Sequence, residues 1–149
     1  MKIDIVCVGK LKEDYLRAAA AEYLKRLTPY ARVNIRELPE STIAKEAADI
    51  CKILETASPQ SRKIALAIDG AAVSSQKFAH QLEKFAIDGI SHFIFVIGGA
   101  EGLDDSVLAA CHMRLSLSAM TFTHQMARVL LLEQIYRAHR IINNEPYHK

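Results

Sequence analysis

Phe93-Ile94-Phe95-Val96-Ile97, followed at once by Gly98-Gly99-Ala100-Glu101-Gly102-Leu103, is the stretch on which the fold turns. An unbroken run of β-branched and aromatic residues has no polar face, so the strand it forms is covered on both sides, as in a parallel sheet held between helices. The glycines that follow let backbone amides approach a ligand with no side chain in the way. Further along lies a second loop of small and polar residues, Leu117-Ser118-Ala119-Met120-Thr121-Phe122-Thr123-His124. Ligands of open α/β sheets sit beyond the carboxyl ends of the strands, so two such loops close together in the chain can wall one small-molecule pocket.

Outward from this stretch the apolar pattern alternates between a period of two and one of about 3.6. Residues 3 to 8 read as a strand. Tyr15, Leu16, Ala19, Ala20, Tyr23, Leu24 and Leu27 form a helical stripe over residues 12 to 27, stopped at Pro29. Arg32 to Leu38 alternates as a strand, Ser41 to Thr56 as a helix, and Ser58-Pro59-Gln60-Ser61 is a loop. Lys63 to Asp69 reads as a buried strand, Ser74 or Ser75 caps a helix running to Gly89, and His92 to Ile97 is the strand already described. Asp104 opens a short helix, Met113 to Leu117 is a last strand, and His124 to Ile142 a long helix. The alternation predicts an α/β domain, residues 1 to 149, with a mainly parallel sheet and helices on both faces.

Half of the 149 residues are apolar, enough for one core. No apolar run approaches the ~20 residues of a membrane span, and no signal peptide is visible, so a cytoplasmic protein is expected. Cys7, Cys51 and Cys111 are odd in number and widely spaced, which speaks against a disulfide framework or a zinc site. His80, His92, His112 and His139 have no ligand spacing either, and no metal is expected. The net charge is only +2, but eight of the 19 Lys and Arg fall in residues 1 to 36 against four acids. A phosphate-facing edge would produce that bias, and so would a solvated amphipathic helix.

The glycine loop lacks the Lys-Ser or Lys-Thr of a phosphate loop, and Gly98, Gly99 and Gly102 do not have the spacing of a dinucleotide fingerprint. No nucleophile-elbow motif is present, which disfavours a hydrolase. Glu101, beside the loop, could meet a ligand ammonium or simply face water.

Taken in order, Phe95-Val96-Ile97-Gly98-Gly99-Ala100-Glu101-Gly102, the run Leu115 to Val129, Glu133-Gln134-Ile135-Tyr136-Arg137-Ala138 and the ending Pro146-Tyr147-His148-Lys149 closely resemble the RlmH (YbeA-like) family. The similarity covers the whole chain, including Val6-Cys7-Val8-Gly9-Lys10 and Glu22-Tyr23-Leu24-Lys25-Arg26. Those proteins are SPOUT-class methyltransferases acting on N3 of a pseudouridine in 23S ribosomal RNA. The resemblance implies a trefoil-knotted fold, S-adenosylmethionine as cofactor, and a homodimer working on the ribosome. Knots run against the general rule for chain connections, and nothing in the periodicity predicts one. The resemblance also places cofactor contacts on Gly99, on Ser118, Ala119, Met120, Thr121, Phe122 and Thr123, and on the apolar residue ending the preceding strand, Ile68. The family usually has a Leu-Asp pair followed two residues later by glycine, whereas here Gly70 follows Ile68-Asp69 at once.

Methylating an imide nitrogen requires its proton to leave, so a base or an anion-stabilising group is expected. His148 is the candidate base, because imidazole titrates near neutrality. Tyr147 could stack on the uracil or donate a hydrogen bond, and Arg137 could stabilise the developing anion or hold a phosphate. Arg137 also stands one helical turn from Glu133, where a plain surface ion pair would form. His124 and Gln125 are expected to cap the long helix. That helix carries Met126, Val129, Leu130, Leu131, Leu132, Ile135 and Ile142, more apolar surface than one stripe needs, which points to burial by a partner subunit. The rival readings are a ribosome-binding factor without turnover and another nucleotide-binding α/β protein.

Overall fold

The computed structural model describes residues 1 to 149. Five strands, β1 (Lys2–Val8), β2 (Arg32–Leu38), β3 (Ser61–Ala72), β4 (His92–Ile97) and β5 (Met113–Ser116), alternate with five helices, α1 (Asp14–Leu27), α2 (Ile43–Glu55), α3 (Ser75–Ile87), α4 (Asp105–Ala110) and α5 (His124–Ile142). Every strand pair is parallel, in the order β2-β1-β4-β3-β5. All five strands therefore end on one side, where the glycine and Ser118 loops emerge.

Alternate side chains of the central strands serve two separate cores. Ile3, Ile5 and Cys7 of β1 and Phe93, Phe95 and Ile97 of β4 face α1, α3 and α5. Val6, Val8, Ile94 and Val96 face Ala47, Ile50 and Leu54 of α2 and Val107 of α4. Burying each large apolar side chain contributes roughly 1.5–3 kcal/mol, which explains why β4 tolerates no polar residue between Phe93 and Ile97. Four helices start on a side-chain cap: Thr42, Ser74, Asp104 and Thr123 accept from the backbone N–H of Lys45, Lys77, Ser106 and Met126. The cap of α5 is thus Thr123, not His124 or Gln125; His124 is the first helical residue.

Two local features depart from the pattern read off the sequence. β3 runs past Asp69 to Ala72, because its ladder with β5 skips from Leu66 to Ala71 and resumes. Gly70 fits that bulge only as glycine, since a Cβ there would lie 2.8 Å from the Arg114 and Leu115 backbone. The second concerns α5, which packs against both α1 and α3 and buries Val129, Leu131, Leu132 and Ile135 within its own subunit. Part of its wide apolar surface is covered there, while Met126, Leu130 and Ile142 stay only half-buried. His139 of α5 stacks on Tyr30 at 5.4 Å, and burial pushes its pKa down to about 4, so it is a neutral core residue.

Candidate cofactor and substrate site

A cleft of about 970 Å³ opens at the carboxyl ends of the strands. Its walls are Leu66 to Asp69 of β3, Ile97 to Leu103, Leu115 to Ser118 with Met120 to Thr123, the start of α5, and Lys12, Glu13, Tyr15 and Leu16 ahead of and within α1. Of the residues assigned to cofactor, Ile68, Gly99, Ser118, Met120, Thr121, Phe122 and Thr123 line it, while Ala119 is exposed and does not. Ile68 reaches the cleft because the β3 bulge turns it out of the ladder, where it is 59% exposed.

Both loops are held by their own hydrogen bonds. Gly102, with φ of +78°, donates its N–H to the Gly99 carbonyl at 3.0 Å, closing the glycine turn. A Cβ on Gly98 would fall 2.6 Å from the Gly102 carbonyl carbon and oxygen, so this position, rather than Gly99, sets the close approach. In the second loop the Ser116 hydroxyl donates to the Ser118 carbonyl, and the Met120 N–H donates to the Ser118 hydroxyl at 3.0 Å. The Lys12 N–H donates to Gln125 Oε1 at 3.0 Å and ties the α1 approach to α5.

Beneath the cleft lie two charged residues that sequence reasoning passed over. Arg128, 2% exposed, donates to the Gly9 carbonyl and to Glu37, fixing the end of β1. Glu46 is 7% exposed, accepts from the Ser41 N–H, and supports the underside of Gly99. Each interrupts an apolar stripe of its helix, which is the sequence signal that marks them.

The cleft fits S-adenosylmethionine. Its volume suits a ligand of that size, Ile97, Leu115 and Leu117 offer apolar walls for adenine, and Lys12, Glu13, Asp69 and Glu101 offer charges of both signs for an amino-acid end.

Arg137, Tyr147 and His148 do not line this cleft. They form a second polar cluster where the tail folds back on α5. Asn144, at φ 53°, takes the left-handed position after the helix, with Glu145 N–H donating to the Arg140 carbonyl and Asn144 N–H to the Ile141 carbonyl. Arg140 then clamps the tail through the Pro146 carbonyl at 2.8 Å and Glu145 at 2.6 Å, and Tyr30 donates to Glu145 at 2.8 Å. The tail is accordingly docked on its own subunit rather than free.

Within the cluster Arg137 donates from Nε and Nη2 to Glu133 Oε1 at 3.0 and 2.5 Å, and its guanidinium covers the Tyr147 ring at 4.7 Å. Tyr147 donates its hydroxyl to the same carboxylate oxygen at 3.0 Å; burial, the Tyr23 hydroxyl and Glu133 raise its pKa well above the ordinary phenol. Arg137 Nη1 lies 3.0 Å from His148 Nδ1, and Gln76 Nε2, on α3, lies 2.8 Å from His148 Nε2. The Glu133 pair expected of Arg137 is present, but it is one contact among several. Gln76 had no signal in the sequence, because it joins the cluster only through packing of α3 on α5.

No group of three or more His, Cys, Asp or Glu side chains is placed to hold a metal ion, and no helix is long and apolar enough to cross a membrane.

Comparison with known proteins gives the family. Curated relatives from Clostridioides difficile (strain 630), Bacillus thuringiensis (strain Al Hakam) and Bifidobacterium animalis subsp. lactis are 48%, 47% and 45% identical, covering the whole of both chains, and each is named ribosomal RNA large subunit methyltransferase H. A solved methylase family protein from Haemophilus influenzae Rd KW20 shares the fold at a TM-score of 0.58 and 18% identity, covering 99% of this chain and 70% of that one. A family model described as "Predicted SPOUT methyltransferase" matches residues 1–148, and the chain belongs to the SPOUT methyltransferase family.

Proposed function

We propose that this protein transfers a methyl group from S-adenosylmethionine to N3 of a pseudouridine in 23S ribosomal RNA, on the ribosome in the cytoplasm. The observation that carries the cofactor half is the cleft between the Gly98 to Leu103 turn and the Ser118 to Thr123 loop. The substrate half rests on relatives, alike over their whole length, whose name specifies large-subunit ribosomal RNA. The trefoil knot belongs to the same reading.

S-adenosylmethionine, when bound, supplies a methyl group on a positively charged sulfur, so the protein's task is chiefly alignment. Gly99, Ser118, Met120, Thr121, Phe122 and Thr123 hold the cofactor, with Ile68 against it from β3. The tail residues Tyr147 and His148, with Arg137, meet the RNA base.

Because the tail cluster lies outside its own subunit's cleft, a two-fold homodimer in which one subunit's tail completes the other's site is part of the proposal. Tyr15, Ile68, Met120 and Phe122, 66%, 59%, 76% and 39% exposed, rim the cleft and give such a contact its apolar area.

Calorimetry with S-adenosylhomocysteine on protein sized by sedimentation should show one saturable site per chain, on a dimer, with no comparable binding of a flavin nucleotide. Absence of S-adenosylhomocysteine binding to folded protein would overturn the cofactor assignment.

A further inference from the structure

The contacts of His148 determine which of its atoms can do chemistry, an inference that rests on the reading that the tail meets the RNA. A guanidinium has only donors. The ring nitrogen facing Arg137 Nη1 at 3.0 Å, Nδ1, is therefore the acceptor and carries no proton. The single proton of the neutral imidazole is then on Nε2. Nε2–H in turn needs an acceptor; the Gln76 atom placed 2.8 Å away is its amide nitrogen, and turning the carboxamide over, an exchange of near-equivalent atoms, puts Oε1 there to accept. Arg137 is not free to turn aside, being held by Glu133 through two donors and lying over Tyr147.

The geometry points to His148 serving the uracil as a neutral N–H donor rather than as the proton-abstracting base. Arg137 is the positioning residue that fixes the tautomer. With the Gln76 carboxamide turned over, its carbonyl holds in the free protein the place that a uracil carbonyl takes in the complex. During the reaction the N3 proton passes to solvent water, leaving an imide anion with charge on the flanking carbonyl oxygens. His148 Nε2–H donates to one of these, and the fixed charge of Arg137 lies directly behind the ring. The N3 electron pair then forms the bond to the methyl carbon, while the carbon–sulfur bond breaks with its pair going to sulfur.

The two roles separate on substitution, because glutamine can donate from its amide but cannot take a proton at neutral pH. Single-turnover methylation of ribosomes lacking the modification, at saturating S-adenosylmethionine, should fall about 10²-fold in His148→Ala and recover to within about tenfold of the parent in His148→Gln. Cofactor affinity, measured alongside, should be unchanged in both. Equal loss in the two variants would overturn the donor role in favour of a base. No loss in His148→Ala would overturn the reading that the tail meets the RNA, and the inference with it. A second readout needs no turnover: nitrogen-15 spectra of the full-length protein should show His148 protonated at Nε2, with that preference lost in Arg137→Ala. A proton on Nδ1 in the parent protein would refute the assignment.

Discussion

Gly98→Ala should lower affinity for S-adenosylmethionine and S-adenosylhomocysteine by about 10²-fold, or about 2.7 kcal/mol, while leaving the protein folded. The added Cβ would stand 2.6 Å from the backbone carbon and oxygen of Gly102, and backbone cannot step aside as a side chain does. Relief requires opening the turn closed by the Gly102 N–H on the Gly99 carbonyl, which displaces the amides that line the cleft. Gly99→Ala is the control. Its Cβ meets Val8 Cγ1 at 3.2 Å and Glu46 Oε1 at 3.4 Å, both side chains, and the loss should be a few-fold; Gly99→Val, with two more carbons in that space, should approach the Gly98 effect. Calorimetry on folded Gly98→Ala that returned the parent affinity would show that the glycine turn does not hold the cofactor.

Removal of Pro146 to Lys149 should have the opposite signature. None of these residues lines the cleft, so cofactor affinity should stay within a few-fold, whereas methyl transfer should drop by ~10²-fold or more, the scale of losing an acid-base or orienting group. The truncation also strips Arg137 of its contacts to Tyr147 and His148 and Tyr136 of the Tyr147 ring packed 4.8 Å away, so the thermal midpoint should be recorded with the rate. Mixing truncated chains with chains carrying Gly98→Ala tests the composite site. At low cofactor each preparation alone should be nearly inactive, and the mixture should regain activity once subunits exchange, because one heterodimer site has both an intact cleft and an intact tail. Truncated protein methylating at the parent rate would deprive the tail of any catalytic part and leave Arg137 as the residue to examine.

The sheet was legible because its signals are local. β2, β4 and α5 have the boundaries their periodicity predicts, and the caps Ser74 and Asp104 stand where short polar side chains precede apolar stripes. What could not be read depends on contacts distant in the chain. The bulge of β3 exists because Ala71 pairs with Leu115, and the Ile68-Asp69-Gly70 sequence only signals a strand ending. How much of the apolar surface of α5 is covered by α1 and α3 could not be read either, since a single helix pattern cannot distinguish a partner subunit from two flanking helices of the same chain. The course of the tail is dictated by Arg140, one turn back, and the left-handed Asn144, neither of which any local pattern announces. For the site, the two loops were identifiable from small residues at strand ends. That Gly98 rather than Gly99 makes the close approach, and that Gln76 meets His148, required the packed structure.

The most direct measurement is incubation of the protein with methyl-labelled S-adenosylmethionine and ribosomes that lack the modification, followed by mass mapping of the large-subunit RNA. The account predicts one labelled nucleotide per 23S molecule, a pseudouridine carrying its new methyl on N3, and no label when the Gly98→Ala variant is used at low cofactor. Label on a base other than pseudouridine, on a ribose, or on ribosomal protein alone would contradict it.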